Sequence, residues 1–242
     1  MLKLAAAAAL LAAPVCAFCG DWSGAVAAGY IATSGNSDTR ALNAKTELHW
    51  RQGPWQNKLN ASALNTAEKG ASTGERYFAG DKLSYDFTER NYVFTALEFD
   101  KDLFGGIRQR TSETVGYGRH ILPGPVHKLD GELGGGVRQT EEQVSRDHHD
   151  DVIGRAELNY GWKISDTSTF AQVLKSEFGK SNTLLESATE LKVVVIGRLA
   201  AALSYTVKHN THVADGVGKT DTATAINLSY SFGANAAVAG CP

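Results

Sequence analysis

The sequence predicts an all-β fold: a single closed antiparallel up-and-down transmembrane β-barrel of 12 strands. Three observations predict it. Apolar and polar side chains alternate with a period of two. The connections between alternating segments are short and long by turns. Aromatic residues gather at one end of the segments. The alternation is plainest over residues 41–51, where Leu42, Ala44, Thr46, Leu48 and Trp50 share one face and Asn43, Lys45, Glu47, His49 and Arg51 the other. A strand sends successive side chains to opposite sides, whereas a helix would group residues three and four apart. Residues 129–138, 152–163 and 222–232 repeat the pattern.

Taken in order, the predicted strands are residues 22–33, 39–51, 55–67, 76–87, 91–101, 107–121, 127–139, 152–164, 169–178, 184–194, 198–210 and 221–232. Most exceed the roughly 9–11 residues that a tilted strand needs to cross a bilayer. Within residues 92–101, 108–120 and 170–178 the phase is broken, and alternation alone assigns no faces. The connections at 52–54, 88–90, 122–125, 165–168 and 195–197 are short. Those at 34–38, 68–75, 102–106, 140–151, 179–183 and 211–220 are longer and polar. Tight turns at one end and loops at the other are the pattern of outer-membrane barrels. Trp50, Trp55, Tyr85, Phe87, Tyr92, Phe94, Tyr160, Trp162 and Phe170 flank the short turns, joined by Trp22, Tyr230 and Phe232. Such rings collect where acyl chains meet head groups, so this end reads as the inner girdle. Tyr30, Tyr77, Phe99 and Phe178 are candidates for a sparser outer one.

Composition agrees with strands and turns. The 242 residues hold 25 Gly, 5 Pro and 1 Met, and charges of 24 Lys+Arg against 26 Asp+Glu give −2, which excludes a strongly basic nucleic-acid binder. Residues 1–17 read as a secretory signal. Lys3 is the only charge before Asp21, residues 4–13 are Ala and Leu, Pro14 breaks the run, and Val15-Cys16-Ala17 suits cleavage after Ala17. A lipoprotein signal using Cys16 or Cys19 fits less well, because the residues before them are not a small-residue run. The expected organisation is a signal over 1–17, a barrel over 18–232 and a tail over 233–242. Cys19 and Cys241 stand near the ends of the exported chain, and both a disulfide and two free thiols stay open.

A soluble barrel would bury the apolar face. Twelve strands enclose a lumen too wide for that, since about eight suffice for side chains to fill the interior. The apolar face is also rich in Ala, Gly and Thr, poor material for a dense core. The greasy face therefore points to lipid, and closure removes the edges that lipid cannot satisfy.

Gly29 to Thr39, Asp221-Thr222 and the ending Leu228-Ser229-Tyr230-Ser231-Phe232 resemble the family of salt-induced outer-membrane proteins, over nearly the whole exported chain. The resemblance implies an outer-membrane barrel in a Gram-negative envelope and supplies no catalytic residues. One departure is that residues 233–242 follow Phe232, where outer-membrane chains usually stop.

The expected lumen lining is Lys45, Glu47, His49, Arg51, Lys58, Lys82, Asp86, Asp130, Glu132, Arg138, Arg155, Glu157 and Lys163. Both signs occur in quantity, so a weakly selective pore and a lumen closed by ion pairs are both open. Asp147-His148-His149-Asp150-Asp151, in the longest external loop, offers metal-type donors without a recognised ligand spacing. A hydrolase acting on lipid or peptide through His49, His120, His127, His209 or His212 is the enzyme alternative, but no Gly-x-Ser-x-Gly motif appears. His49 and His209 read as lumen residues. Gly35-Asn36 and Asp215-Gly216 are turn chemistry, and Gly134-Gly135-Gly136 marks a bend or close contact rather than a phosphate loop. No catalytic, cofactor or metal residue is assigned. The expected reading is a non-enzymatic structural barrel or narrow passage. Its expected partners are outer-membrane lipid, lipopolysaccharide, the barrel-assembly machinery and periplasmic chaperones, with no nucleic acid.

Overall fold

The computed structural model describes residues 20–33, 39–69, 71–103, 106–143, 146–213 and 218–233. The proposed signal, its cleavage site, Cys16, Cys19, Cys241, Gly35-Asn36, Asp215-Gly216 and the tail beyond Gly233 lie outside them. The strands are β1 (Asp21–Thr33), β2 (Thr39–Gln52), β3 (Trp55–Glu68), β4 (Ala71–Asp86), β5 (Asn91–Asp102), β6 (Ile107–Pro123), β7 (His127–Glu142), β8 (His148–Lys163), β9 (Ser168–Gly179), β10 (Thr183–Ile196), β11 (Leu199–Asn210) and β12 (Thr220–Gly233). Each pairs antiparallel with its sequence neighbours, and β12 returns to β1 to close the ring. The closing seam runs over 6 register pairs, Ser23↔Gly233 to Ala28↔Leu228, against 13 between β1 and β2.

The faces follow the alternation. Leu42, Leu59, Leu133, Leu158, Leu203, Ile226 and Leu228 are exposed on the outer wall. Asn227, Ser229 and Ser231, alternating with Ile226, Leu228 and Tyr230, are buried inward. An exposed apolar belt around a polar, buried interior inverts the order of a water-soluble protein and matches a lipid-embedded barrel. The turn end carries Trp22, Trp55, Tyr85, Phe87, Tyr117, Trp162 and Tyr230 outward, and Trp55 packs on Tyr85 with ring centroids 4.8 Å apart. Tyr30, Tyr77, Phe99 and Phe178 are exposed toward the loop end. Lys101 lies over Tyr77, 5.5 Å from its ring centroid.

Several expectations are corrected. Tyr92 and Phe94 are not girdle residues. With Ala96 they form a buried cluster inside the barrel, at 5% and 4% exposure for the two rings. The strict alternation of short and long connections does not hold. The expected loop over 68–75 is taken up by β3 and β4, which register as far as Glu68↔Ala71. The expected loop over 140–151 shrinks to 143–147, because β7 and β8 pair out to Glu141↔His148. Backbone pairing continues in both places because the polar side chains there satisfy each other beyond the bilayer. Gly134 and Gly136 mark close approach of neighbouring backbone. A Cβ on Gly134 would lie 2.6 Å from the Val115 carbonyl oxygen, and one on Gly136 would meet that of Glu113.

Candidate functional site: the charged lumen

All thirteen predicted lumen residues share the parity of the inward face, and the structure adds the strands that alternation left unassigned. On β5, Tyr92, Phe94, Ala96, Glu98, Asp100 and Asp102 turn inward, and on β6 Arg110, Ser112 and Thr114 do so. On β9 it is Lys175 and Glu177. These were missed because inward apolar rings on β5, and outward Lys101, Glu113 and Gln172, blur the period. Gln172 is stabilised on the outer wall by hydrogen bonds with Ser187 (3.0 Å) and Thr189 (2.6 Å).

The inward charges pair both along the wall, as Arg76 with Asp102, and across the ring. Lys208 on β11 reaches Asp100 on β5 at 3.3 Å, and these strands are diametrically opposed in the ring. Arg110 donates to the Asn210 carbonyl oxygen at 3.3 Å, bridging β6 and β11. Glu98 takes Arg155 at 2.9 Å and Lys175 at 2.6 Å. Lys82 meets Glu132 at 2.5 Å, and the Tyr92 hydroxyl donates to the same carboxylate at 2.7 Å. Lys45 spans from Glu47 (2.8 Å) on its own strand to Glu190 (3.3 Å) on β10. Near the loop end Arg138, 1% exposed in its side chain, lies between Asp151 at 3.2 Å and Glu177 at 3.5 Å. Surrounding lipid lowers the effective dielectric, which strengthens these pairs and raises the cost of an unmatched charge. A cavity among Glu98, Asp100, Arg110, Lys175, Glu177 and Lys208 has a volume of about 20 Å³, room for about one or two waters. The side chains of Glu132, Arg138, Arg155 and Glu177 are almost wholly buried, so packed side chains fill the barrel here.

The other candidate residues fall as follows. The Asp147–Asp151 motif straddles the start of β8 instead of riding a long loop. Alternation separates its members: His148 and Asp150 take the outward parity, whereas His149, 3.5 Å from Glu142, and Asp151 take the inward one, and Asp151 pairs with Arg138 and accepts hydrogen bonds from the Ser181 hydroxyl and backbone N–H. Among the described residues no three His, Cys, Asp or Glu side chains are placed to hold a metal ion. His120 lies inside the turn-end mouth between Asp130 (2.7 Å) and Asp86 (3.6 Å), and Gln56 donates to Asp86 at 2.6 Å. His127 is on the outer girdle wall, stacked against Trp162 and hydrogen-bonded to the Tyr160 hydroxyl at 2.9 Å. His209 is not a lumen residue. It shares the outward parity of Leu203 and Tyr205, and its Nδ1 is 2.8 Å from the Thr220 hydroxyl. His49 faces inward opposite Lys58.

This fold and lining define an outer-membrane β-barrel, and the protein resides in the outer membrane. Among solved structures the barrel is similar to the NanC porin, with a TM-score of 0.54 at 14% identity over 86% of this chain and 98% of that one. It is also similar to the COG4313 outer membrane channel from Pseudomonas putida F1, with a TM-score of 0.52 at 10% identity over 88% and 96%. The chain belongs to the family described as protein of unknown function, DUF481, whose model matches residues 26–232. A relative is the uncharacterized protein YdiY of Escherichia coli (strain K12), 31% identical over 212 residues, 87% of this chain and 83% of that protein.

Proposed function

We propose that the protein is a narrow, normally closed passage for small hydrophilic solutes, non-enzymatic and weakly selective. The observation that carries this reading is the nature of the closure. Apart from the Tyr92–Phe94–Ala96 cluster and a few other apolar side chains the lumen is lined by polar groups, and those that cross it are the tips of Lys, Arg, Asp and Glu side chains. Long charged side chains exchange rotamers far faster than a folded plug unfolds, so such a closure opens without refolding. Both signs line the lumen, which supports weak selectivity. The similarity in fold to a porin and to an outer membrane channel supports the same class. Insertion by the barrel-assembly machinery after periplasmic chaperoning, and a cleaved signal over residues 1–17, belong to this reading.

Planar-bilayer recording of the refolded full chain tests it. The expected result is brief, small conductance steps whose frequency rises with salt, as screening loosens the cross-lumen pairs. Silence at every salt concentration and voltage would leave a purely structural barrel.

A further inference from the structure

One wall of the mouth at the turn end, which faces the periplasm in outer-membrane barrels, is not paired like the rest. On β2, Arg51 and His49 point inward two residues apart, and His49 stands directly opposite Lys58 of β3. The same hydrogen-bonded row continues to Ser23 on β1 and Lys82 on β4. Opposed side chains on one face have Cβ atoms about 5 Å apart, and like charges so placed repel. Lys82 escapes through Glu132. Among the described residues, Arg51, His49 and Lys58 have no carboxylate within 4.0 Å. The nearest candidates are otherwise disposed. Glu47 is held by Lys45 at 2.8 Å, and Asp21, opposite Arg51, does not close to ion-pair distance. A wall with three basic groups and, among the described residues, no carboxylate paired with them lacks one component: an acceptor with negative charge.

We propose that Arg51, His49 and Lys58 form a binding site for a small oxyanion, a carboxylate- or phosphate-bearing solute, on the β2–β3 wall of the periplasmic mouth. The planar guanidinium of Arg51 at the rim takes two oxygens of such a group side by side. Lys58, deeper in, supplies a point charge. The lipid outside the wall prevents bulk water from screening the cations, so the anion gains more there than on an open surface. The site opens to the mouth and stands whether or not the lumen conducts.

Inorganic phosphate is the probe. The full chain, refolded in a maltoside detergent that carries no phosphate, is titrated at constant ionic strength with chloride as the balancing anion. Binding is read by calorimetry and by the temperature at which the heat-modifiable folded band is lost. The expected result is saturable binding that Lys58→Met weakens by about tenfold or more, the value of one charge-assisted hydrogen bond. Arg51→Gln weakens it as well, and Lys163→Met, a mouth residue already held by Asp166 at 2.7 Å, leaves it unchanged. If Lys58→Met does not refold, Lys58→Gln and Arg51→Gln carry the test. Equal binding by wild type and the Lys58 variant, or a phosphate response no larger than that of chloride, overturns the proposal.

Discussion

Two regions of the lumen handle charge in opposite ways. Around Glu98, Asp100, Lys175 and Lys208, cations and carboxylates from opposing walls close on one another and leave about 20 Å³ of space. On the β2–β3 wall at the mouth, Arg51, His49 and Lys58 have no such partners among the described residues. The two regions share residue types, so composition does not separate them. What separates them is which strands the ring brings face to face. Paired charge serves as closure and as structure, and unpaired charge is available to something that arrives from solution.

The comparison breaks first if the paired region is not structural. Glu98→Gln removes the carboxylate that Arg155 and Lys175 share while keeping its volume, and leaves both cations short of a partner. Breaking a buried pair from one side costs about 3–5 kcal/mol. The expected outcome is a fall of that order in unfolding free energy, measured by urea denaturation in lipid vesicles with tryptophan fluorescence. No change would mean that water reaches this level and screens the pairs.

Removing both partners of the longest bridge sharpens the contrast between closure and stability. In the double variant Asp100→Ser with Lys208→Ser, no charge is orphaned between the two, but the diametric contact is gone and the cavity beside it widens. Single-channel conductance is expected to rise severalfold over wild type while the barrel still shows heat-modifiable mobility. Unchanged conductance would place the constriction elsewhere, near Lys82 and Glu132 or Arg138 and Glu177.

The sequence reveals the two regions unequally. The strand over residues 42–51 is legible because its five inward polar and five outward apolar or small side chains never break phase, and residues 152–163 depart from that chiefly at the inward Ile153. The pairing is not legible. Lys45 and Glu190 are 145 positions apart, and Lys208 and Asp100 are 108 apart. Ring closure alone decides that they meet. β5 misleads in a particular way. Its Tyr92 and Phe94 resemble interface aromatics by position, yet they turn inward because the Tyr92 hydroxyl hydrogen-bonds Glu132 inside. The loop over 140–151 misleads because polar composition reads as loop, although strands of a barrel extend past the membrane wherever their side chains satisfy one another. That Lys58 lacks a partner is equally invisible in the chain, since it is a property of its surroundings.

A third environment for charge lies outside the barrel. Asp81 faces outward on β4, midway between Tyr85 of the inner girdle and Tyr77 under Lys101, with the Asn57 amide donating to it at 2.7 Å. A carboxylate at this depth on the lipid face is unfavourable, though less so than the roughly 2–4 kcal/mol of a basic residue. Asp81→Leu is therefore expected to stabilise the barrel by about 1 kcal/mol in urea unfolding from vesicles. Destabilisation instead would show that the Asn57–Asp81 pair holds β3 to β4 more strongly than lipid exposure opposes it.

Lys58→Met carries the smallest expected effect on stability and the sharpest contrast. At Glu98 the loss of a charge takes one partner from each of two buried cations. At Lys58 the charge is itself the orphan, so its removal relieves repulsion with Lys82, its directly opposed neighbour, and burial of a similar volume of thioether replaces a desolvated ammonium. Stability is expected to stay level or to rise by up to about 1 kcal/mol, the size of a cross-strand like-charge penalty. Adding phosphate should then separate the two proteins: wild type gains stability with ligand concentration as binding to the folded state requires, and the variant gains little. A variant that is instead less stable by several kcal/mol in phosphate-free buffer would mean that Lys58 already has a partner in the folded barrel, and the mouth would belong with the paired lumen after all.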